Sequence, residues 1–273
     1  MNYKKISARI LSQQELAEAT WYLRLRAEEN ISSLHIEAGQ FVMIRVSRER
    51  DPLLNRPFSI SGYNWRERSV DILYRVRGKG TKLLSRKAKG ALIDMILPLG
   101  QPFPFPKSKD RHLTLVAGGI GIAPILAIGK VAATCSHSFS ILWGIKHKSE
   151  YFKIGSIYPE MVNIPVLMAS EDGSIGIKGT VVHLLREYLE KHRALKPIVV
   201  SCGPLPMLKT VNHICRNKSL THYVSMEARM GCGMGYCLGC AIPSIEGGYH
   251  KVCKEGPIFD ANVLDWKRLG NGH

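Results

Sequence analysis

Four of the chain's 7 cysteines, Cys232, Cys237, Cys240 and Cys253, lie together near the C-terminus with the spacing C-x4-C-x2-C-x12-C. Clustered cysteines in a reducing compartment favour metal or cluster ligation over disulfides. The spacing has the C-x4-C-x2-C…C form of plant-type [2Fe–2S] sites. A zinc site usually shows two C-x2–4-C knuckles separated by a longer loop. Here three ligands share one glycine-rich loop and the fourth arrives alone, so a [2Fe–2S] cluster is the expectation. Gly231, Gly233, Gly235 and Gly239 let such a loop turn sharply and aim backbone N–H groups at sulfur. A cluster of this kind passes single electrons. The rest of the chain is therefore expected to supply electron partners.

Two further sets of residues could do so. Arg56-Pro57-Phe58-Ser59 offers a guanidinium fork for a phosphate, a fixed backbone, an aromatic face and a small hydroxyl within reach of a flavin ring. Alone, the run reads equally well as the start of a strand with a solvated arginine. Leu73-Tyr74-Arg75 and then Gly78-Lys79-Gly80-Thr81, which opens a helix, turn the balance towards a flavin nucleotide, because a helix N-terminus with glycine before it suits a pyrophosphate. The second set follows the apolar run Leu113–Ala117. Gly118-Gly119-Ile120-Gly121-Ile122-Ala123-Pro124 is a strand–glycine–helix turn suited to a dinucleotide phosphate, although it departs from G-x-G-x-x-G. Pro124 fits a first helical turn, where its missing N–H costs nothing. Cys202-Gly203-Pro204 ends another strand, at the place where open α/β sheets hold ligands. No paired base accompanies Cys202, so it is not read as a nucleophile.

These motifs follow one another in the order found in the ferredoxin–NADP reductase-like superfamily, which the chain resembles over about residues 4–220. The C-terminal text, Met226–Cys240 and Val252–Asp260, closely resembles the electron-transfer subunits of type B dihydroorotate dehydrogenases. That resemblance implies FAD at Arg56, Pro57, Phe58, Ser59, Leu73, Tyr74, Arg75, Gly80 and Thr81. It implies NAD at Gly118, Gly119, Gly121, Pro124, Cys202, Gly203 and Pro204, with Cys202 beside the nicotinamide. Lys146 and Lys148 could bind a 2′-phosphate or simply be solvated; the resemblance favours NAD. It also implies an FMN-containing catalytic subunit that oxidises dihydroorotate, in a heterotetramer of two of each chain. Electrons would run from FMN through [2Fe–2S] and FAD to NAD(+), in pyrimidine biosynthesis. NAD(+) exchanges electron pairs and the cluster single electrons, and a flavin handles both. No catalytic acid, base or nucleophile of the chain's own is expected. The alternative is an electron-transfer subunit of another flavin/iron–sulfur reductase, of the sulfide dehydrogenase or NADH-dependent ferredoxin:NADP oxidoreductase type.

Two architectures must position these groups. Short runs at Lys4–Leu11, Thr20–Ala27, Gln40–Val46, Phe58–Tyr63 and Val70–Val76, punctuated by Gly and Pro, predict an antiparallel β-barrel over 1–103. Three prolines in Pro102–Pro106 place a boundary after it. Strands at His112–Ala117, Phe139–Trp143, Ile164–Ala169 and Ile198–Ser201 alternate with helices at Gly121–Ala133, Thr180–Lys191 and Met207–Cys215. They predict a parallel-sheet α/β domain over 107–221. Residues 222–273 are expected to form a small [2Fe–2S] module organised by its ligand. The length of 273 residues suits such a division.

The balance of 38 Lys and Arg against 22 Asp and Glu gives a formal charge of +16. The basic residues are dispersed in runs no longer than two, and no nucleic-acid-binding motif accompanies them. The charge therefore reads as solubility plus phosphate-bearing ligands and an acidic partner, not as nucleic-acid binding. No run approaches a membrane span, and the first residues lack a signal-peptide pattern, so a cytoplasmic location is expected.

Overall fold

The computed structural model describes residues 3–30, 34–195 and 197–270; the outermost residues of the expected barrel and cluster segments, 1–2 and 271–273, lie outside the described residues. The chain packs as two compact units, Met1–Phe103 with Met226–Ile258 and Pro104–Ser225 with Phe259–His273.

The first unit contains the barrel. Its strands are β1 (Lys4–Ala17), β2 (Thr20–Ala27), β3 (Phe41–Ile44), β4 (Arg56–Asn64), β5 (Ser69–Arg75) and, after helix α1 (Lys79–Ser85), β6 (Leu92–Leu99). They close in the order β1-β2-β5-β4-β3-β6, which leaves no strand edge exposed. Period-2 patterning explains the inward face: Ile6, Ala8 and Ile10 of β1, Leu23, Leu25 and Ala27 of β2, and Ile93, Met95 and Leu97 of β6 are all buried in one core. Strand β6 is absent from the sequence-based expectation. It closes the barrel by pairing with β1 on one side and β3 on the other.

The second unit holds β7 (Leu113–Gly118), α2 (Ile122–Thr134), β8 (Phe139–Ile145), β9 (Val166–Ser170), β10 (Ile177–Lys178), α3 (Val181–Lys191), β11 (Ile198–Cys202), α4 (Leu205–Asn217) and β12 (His222–Ser225). Neighbouring strands from β10 through β9, β8, β7 and β11 to β12 run parallel. Helix α3 buries Val181, Leu184, Leu185, Tyr188 and Leu189, the stripe a 3.6-residue period places on one face. The chain order runs outward from β7 to β8, β9 and β10 on one side and from β11 to β12 on the other. The strand order thus reverses between β7 and β11, which is the sheet's topological switch point.

The C-terminal residues are shared between the two units. Residues 226–258 carry the cysteine loop and the hairpin of β13 (Ala241–Pro243) with β14 (Tyr249–Lys251), and they pack on the barrel. Gln101 ties them down: its N–H donates to the Gly256 carbonyl (2.6 Å) and its side-chain amide to that of Lys254 (3.0 Å). Strand β15 (Ile258–Asp260) then joins the parallel sheet beside β12. The segment read from sequence as one module, 222–273, is thus distributed over both units. Among the described residues no helix is long and apolar enough to cross a membrane.

Candidate functional site

The four cysteines form two pairs. Cys232 N–H donates to Cys237 Sγ (3.4 Å), and Cys237 N–H returns a bond to Cys232 Sγ (3.5 Å). Met234 and Tyr236 add N–H donors to Cys232 Sγ at 3.3 and 3.4 Å. Cys253 N–H donates to Cys240 Sγ at 3.4 Å. Burial opposes ionisation of the Cys232 thiol, but the amides of Met234, Cys237 and Tyr236 outweigh it and hold the thiol down to about 7. The hydrogen bond with Cys253 brings Cys240 down to about 6, while Cys253 is pushed up by the same contact. Cys232 and Cys240 are thus held towards thiolate, and Cys253 towards thiol.

The glycines explain how the loop reaches this geometry. Gly233 and Gly235 have φ of +73° and +90°, where side chains are disfavoured. A Cβ on Gly233 would also lie 2.6 Å from Met43 of β3, so the loop turns directly on the barrel wall. Leu238 holds φ +58° without being glycine. Two cysteine pairs joined by N–H···S bonds, on a loop of this spacing, suit a two-iron cluster.

The flavin candidates converge within the same unit. Arg56–Ser59 opens β4 and Leu73–Arg75 ends β5, and both lie at the end of the barrel where α1 begins. The Phe58 and Tyr74 rings meet edge to face at 5.6 Å. Tyr74 is buried, and its hydroxyl has no hydrogen-bond partner among the described residues. A buried orphan of this kind costs free energy unless a ligand satisfies it. Arg56 lies across the start of α1: a Cβ on Gly80 would meet Arg56 Nε at 2.9 Å. Thr81 Oγ1 accepts the N–H groups of Arg77 (3.0 Å) and Gly78 (3.2 Å), which fixes the turn. Lys79 forms an ion pair with Asp51. An arginine over a helix start, with a buried hydroxyl awaiting a partner, fits a flavin nucleotide.

The dinucleotide candidates all lie at the switch point, at the C-terminal ends of β7 and β11. Close approach of the two turns demands glycine: a Cβ on Gly121 would sit 2.3 Å from the Cys202 carbonyl oxygen. A Cβ on Gly118 would lie 2.6 Å from Met207 and 3.0 Å from Pro204. Gly119 makes the corner, and Trp143 Nε1–H holds its carbonyl at 3.0 Å. Pro124 is buried in the first turn of α2. Sequence reasoning missed Trp143, whose only local signal is an aromatic residue near the end of an apolar strand. Lys146 and Lys148 follow β8 as exposed side chains, and Glu150, which accepts the Lys146 N–H at 3.3 Å, is buried beside them.

Residues 227–265 match the family described as the iron-sulfur cluster binding domain of dihydroorotate dehydrogenase B. The chain is 34% identical over 264 residues to a dihydroorotate dehydrogenase B (NAD(+)) electron transfer subunit from Geobacillus thermodenitrificans, covering 93% of this chain and 96% of the relative. It is 33% identical to the protein of the same name from Desulforamulus reducens, covering 97% and 99% of the two chains. Among solved structures, an NADH-dependent reduced ferredoxin–NADP oxidoreductase studied for flavin-based electron bifurcation superposes with a TM-score of 0.82 at 27% identity, covering 97% of this chain and 93% of that one.

Proposed function

Since the chain belongs to the family of dihydroorotate dehydrogenase B electron transfer subunits, we propose that it carries electrons from the flavin of a catalytic dihydroorotate dehydrogenase subunit to NAD(+). It is an oxidoreductase subunit of pyrimidine biosynthesis that works with a [2Fe–2S] cluster, FAD and NAD. When bound, these groups supply the chemistry: electron pairs at NAD(+), single electrons at the cluster, and either at the flavin.

The chain's own residues bind and shield. Cys232 and Cys237 hold one iron, Cys240 and Cys253 the other, and the amides of the loop stabilise the sulfur charge. Arg56 and the turn at Gly80 and Thr81 take the FAD pyrophosphate. Pro57, Phe58, Ser59, Leu73, Tyr74 and Arg75 line the flavin, with the Tyr74 hydroxyl as donor or acceptor to it. Gly118, Gly119, Gly121 and Pro124 receive the NAD pyrophosphate, and Cys202, Gly203 and Pro204 flank the nicotinamide. The partner carries FMN and assembles two-and-two with this chain, in the cytoplasm. Its docking face is the cysteine loop and the adjoining hairpin, where Tyr236, Leu238, Ile245 and Tyr249 are 77%, 62%, 61% and 63% exposed.

The observation that carries this reading is the pairing of the cysteines through N–H···S bonds on the wall of the barrel. The high TM-score to the ferredoxin–NADP oxidoreductase favours a second reading, in which the partner subunit is of that type. Reconstitution separates the two. Complexed with the catalytic subunit, the chain is expected to support orotate-dependent NADH oxidation. A complex that reduces ferredoxin or NADP(+) but leaves orotate untouched overturns the dihydroorotate assignment.

A further inference from the structure

One strongly charged feature takes no part in the redox sites. A cleft of about 480 Å³ on the outside of the barrel is lined by Leu11, Ser12, Arg24, Arg26, Arg66, Glu67 and Arg68. It lies at the end of the barrel away from the flavin candidates. The turn 65–68 joins the far ends of β4 and β5, and β4 alone separates it from Arg56 by about 26 Å at the usual strand rise. A bulge makes room for the cleft: the β1–β2 register slips between Ile10 and Ser12, which leaves Leu11 unpaired. Strand alternation aims Arg24 and Arg26 outward, because Leu23 and Leu25 fill the core.

The nearby carboxylates are already committed. Asp71 takes Arg24 through two bonds, at 2.7 and 3.1 Å. Glu28 takes Arg9 in the same forked manner, at 3.0 and 2.8 Å. Glu67 lies 3.9 Å from Arg24. Among the described residues Arg26, Arg66 and Arg68 make no ion pair. With Glu67 counted against these three, two positive charges remain unmatched around one concave surface. Arg68 also holds φ +54°. A turn position in that region suits Gly or Asn and is disfavoured for an arginine. Three forks around a cleft, one held at a conformational cost, match a condensed phosphate better than dispersed solvation does.

We propose that this cleft is an anion site, separate from the cofactor sites, that takes the di- or triphosphate group of a small ligand. Arg26, Arg66 and Arg68 contact the phosphate oxygens, and the Arg24–Asp71 pair forms the fixed floor.

Calorimetry on the intact complex with the catalytic subunit tests this. FAD bound and NAD(+) saturating occupy the other phosphate sites. The probes are inorganic tripolyphosphate and ATP. Binding of tripolyphosphate is expected, and it should weaken steeply as salt is raised. Arg26→Gln and Arg66→Gln are each expected to weaken it roughly tenfold, the loss of one charge-assisted contact. Lys87→Gln, outside the cleft, should leave it unchanged. Tighter binding of ATP than of tripolyphosphate would place a nucleoside beside the phosphates; equal binding would mean that phosphate alone is read. Either supports the site, provided the arginine variants weaken the binding. The proposal is overturned if neither probe binds below millimolar concentration, or if binding is the same in both arginine variants as in the wild type. Flavin and iron content, measured in the same samples, show that the variants are folded.

Discussion

Tyr74 carries the most information per atom in the proposed flavin cleft. Its ring is fixed by Phe58, yet its buried hydroxyl has no partner among the described residues. Removing an unsatisfied hydroxyl relieves a desolvation penalty, whereas removing a satisfied one forfeits a bond. Tyr74→Phe is thus expected to act oppositely in two states. Flavin-free protein should be as stable as the wild type or more so, by about 1 kcal/mol, and FAD affinity should fall about tenfold. Thermal melts with and without added FAD read both effects. Equal destabilisation of both forms would mean that the hydroxyl is satisfied within the protein. The sequence makes Tyr74 a candidate because it stands in Leu-Tyr-Arg at the end of a strand. Its burial without a partner depends on Phe58, which comes from a different strand. Local text offered the candidate residue types, since the cysteine spacing and the Arg-Pro-Phe-Ser run are chemical patterns in themselves. It could not show which polar atoms the fold leaves unmatched.

At the scale of elements, the functional turns are set by how closely two segments approach. The turn after β7 and the turn after β11 meet at Gly121, where a methyl group would lie 2.3 Å from the Cys202 oxygen. Gly121→Ala must push the turns apart, an overpacking cost of about 1–3 kcal/mol at the proposed nicotinamide site. KM for NADH is expected to rise at least about tenfold, with flavin and iron content unchanged. If KM does not move, the switch point is not where the coenzyme binds. Gly233 makes the corresponding test for the cluster loop. Gly233→Ala meets Met43 at 2.6 Å and is expected to lower iron and sulfide per chain. Adding Met43→Ala should restore the part of the loss that is steric and leave the part due to φ +73°.

Strand β12 contributes a pH dependence. His222 is buried against Ser201 (2.8 Å) and stacked on Trp266, and burial pushes its imidazole down to about 3. The unfolded chain takes up that proton near 6.5 and the folded chain does not. The contribution is whole above about 6.5 and is lost as pH falls towards 3. The denaturation midpoint should therefore fall less steeply between pH 6.5 and 4 in His222→Gln than in the wild type, the window in which only the unfolded chain is protonated. The barrel and the parallel sheet were legible as architectures because their periodicities differ. Strand β6 was not, because Leu92–Leu99 is almost wholly apolar and carries a proline, so it alternates too weakly to read as a strand. Strands β12 and β15 are too short to announce themselves without the sheet that receives them.

For the whole molecule, the cysteine loop belongs to the same unit as the barrel, and the loop and its hairpin expose four large apolar side chains. Such residues cost solubility when bare, and they are tolerated where a partner covers them. Leu238 is the sharpest probe, because its backbone sits at φ +58°. Aspartate tolerates that region better than leucine does, so Leu238→Asp keeps the turn and changes only what the surface offers. The variant should retain its flavin and iron while losing co-purification with the catalytic subunit. A buried, unpaired carboxylate at the centre of an interface costs several kcal/mol, enough to weaken assembly by about a hundredfold or more. Ile245→Asp on the hairpin should do the same if the docking face extends that far, and less if it ends at the loop. Retention of the complex by both variants would move the docking surface elsewhere. The cysteine loop would then be a redox centre whose electrons leave by a face that the exposed side chains do not mark.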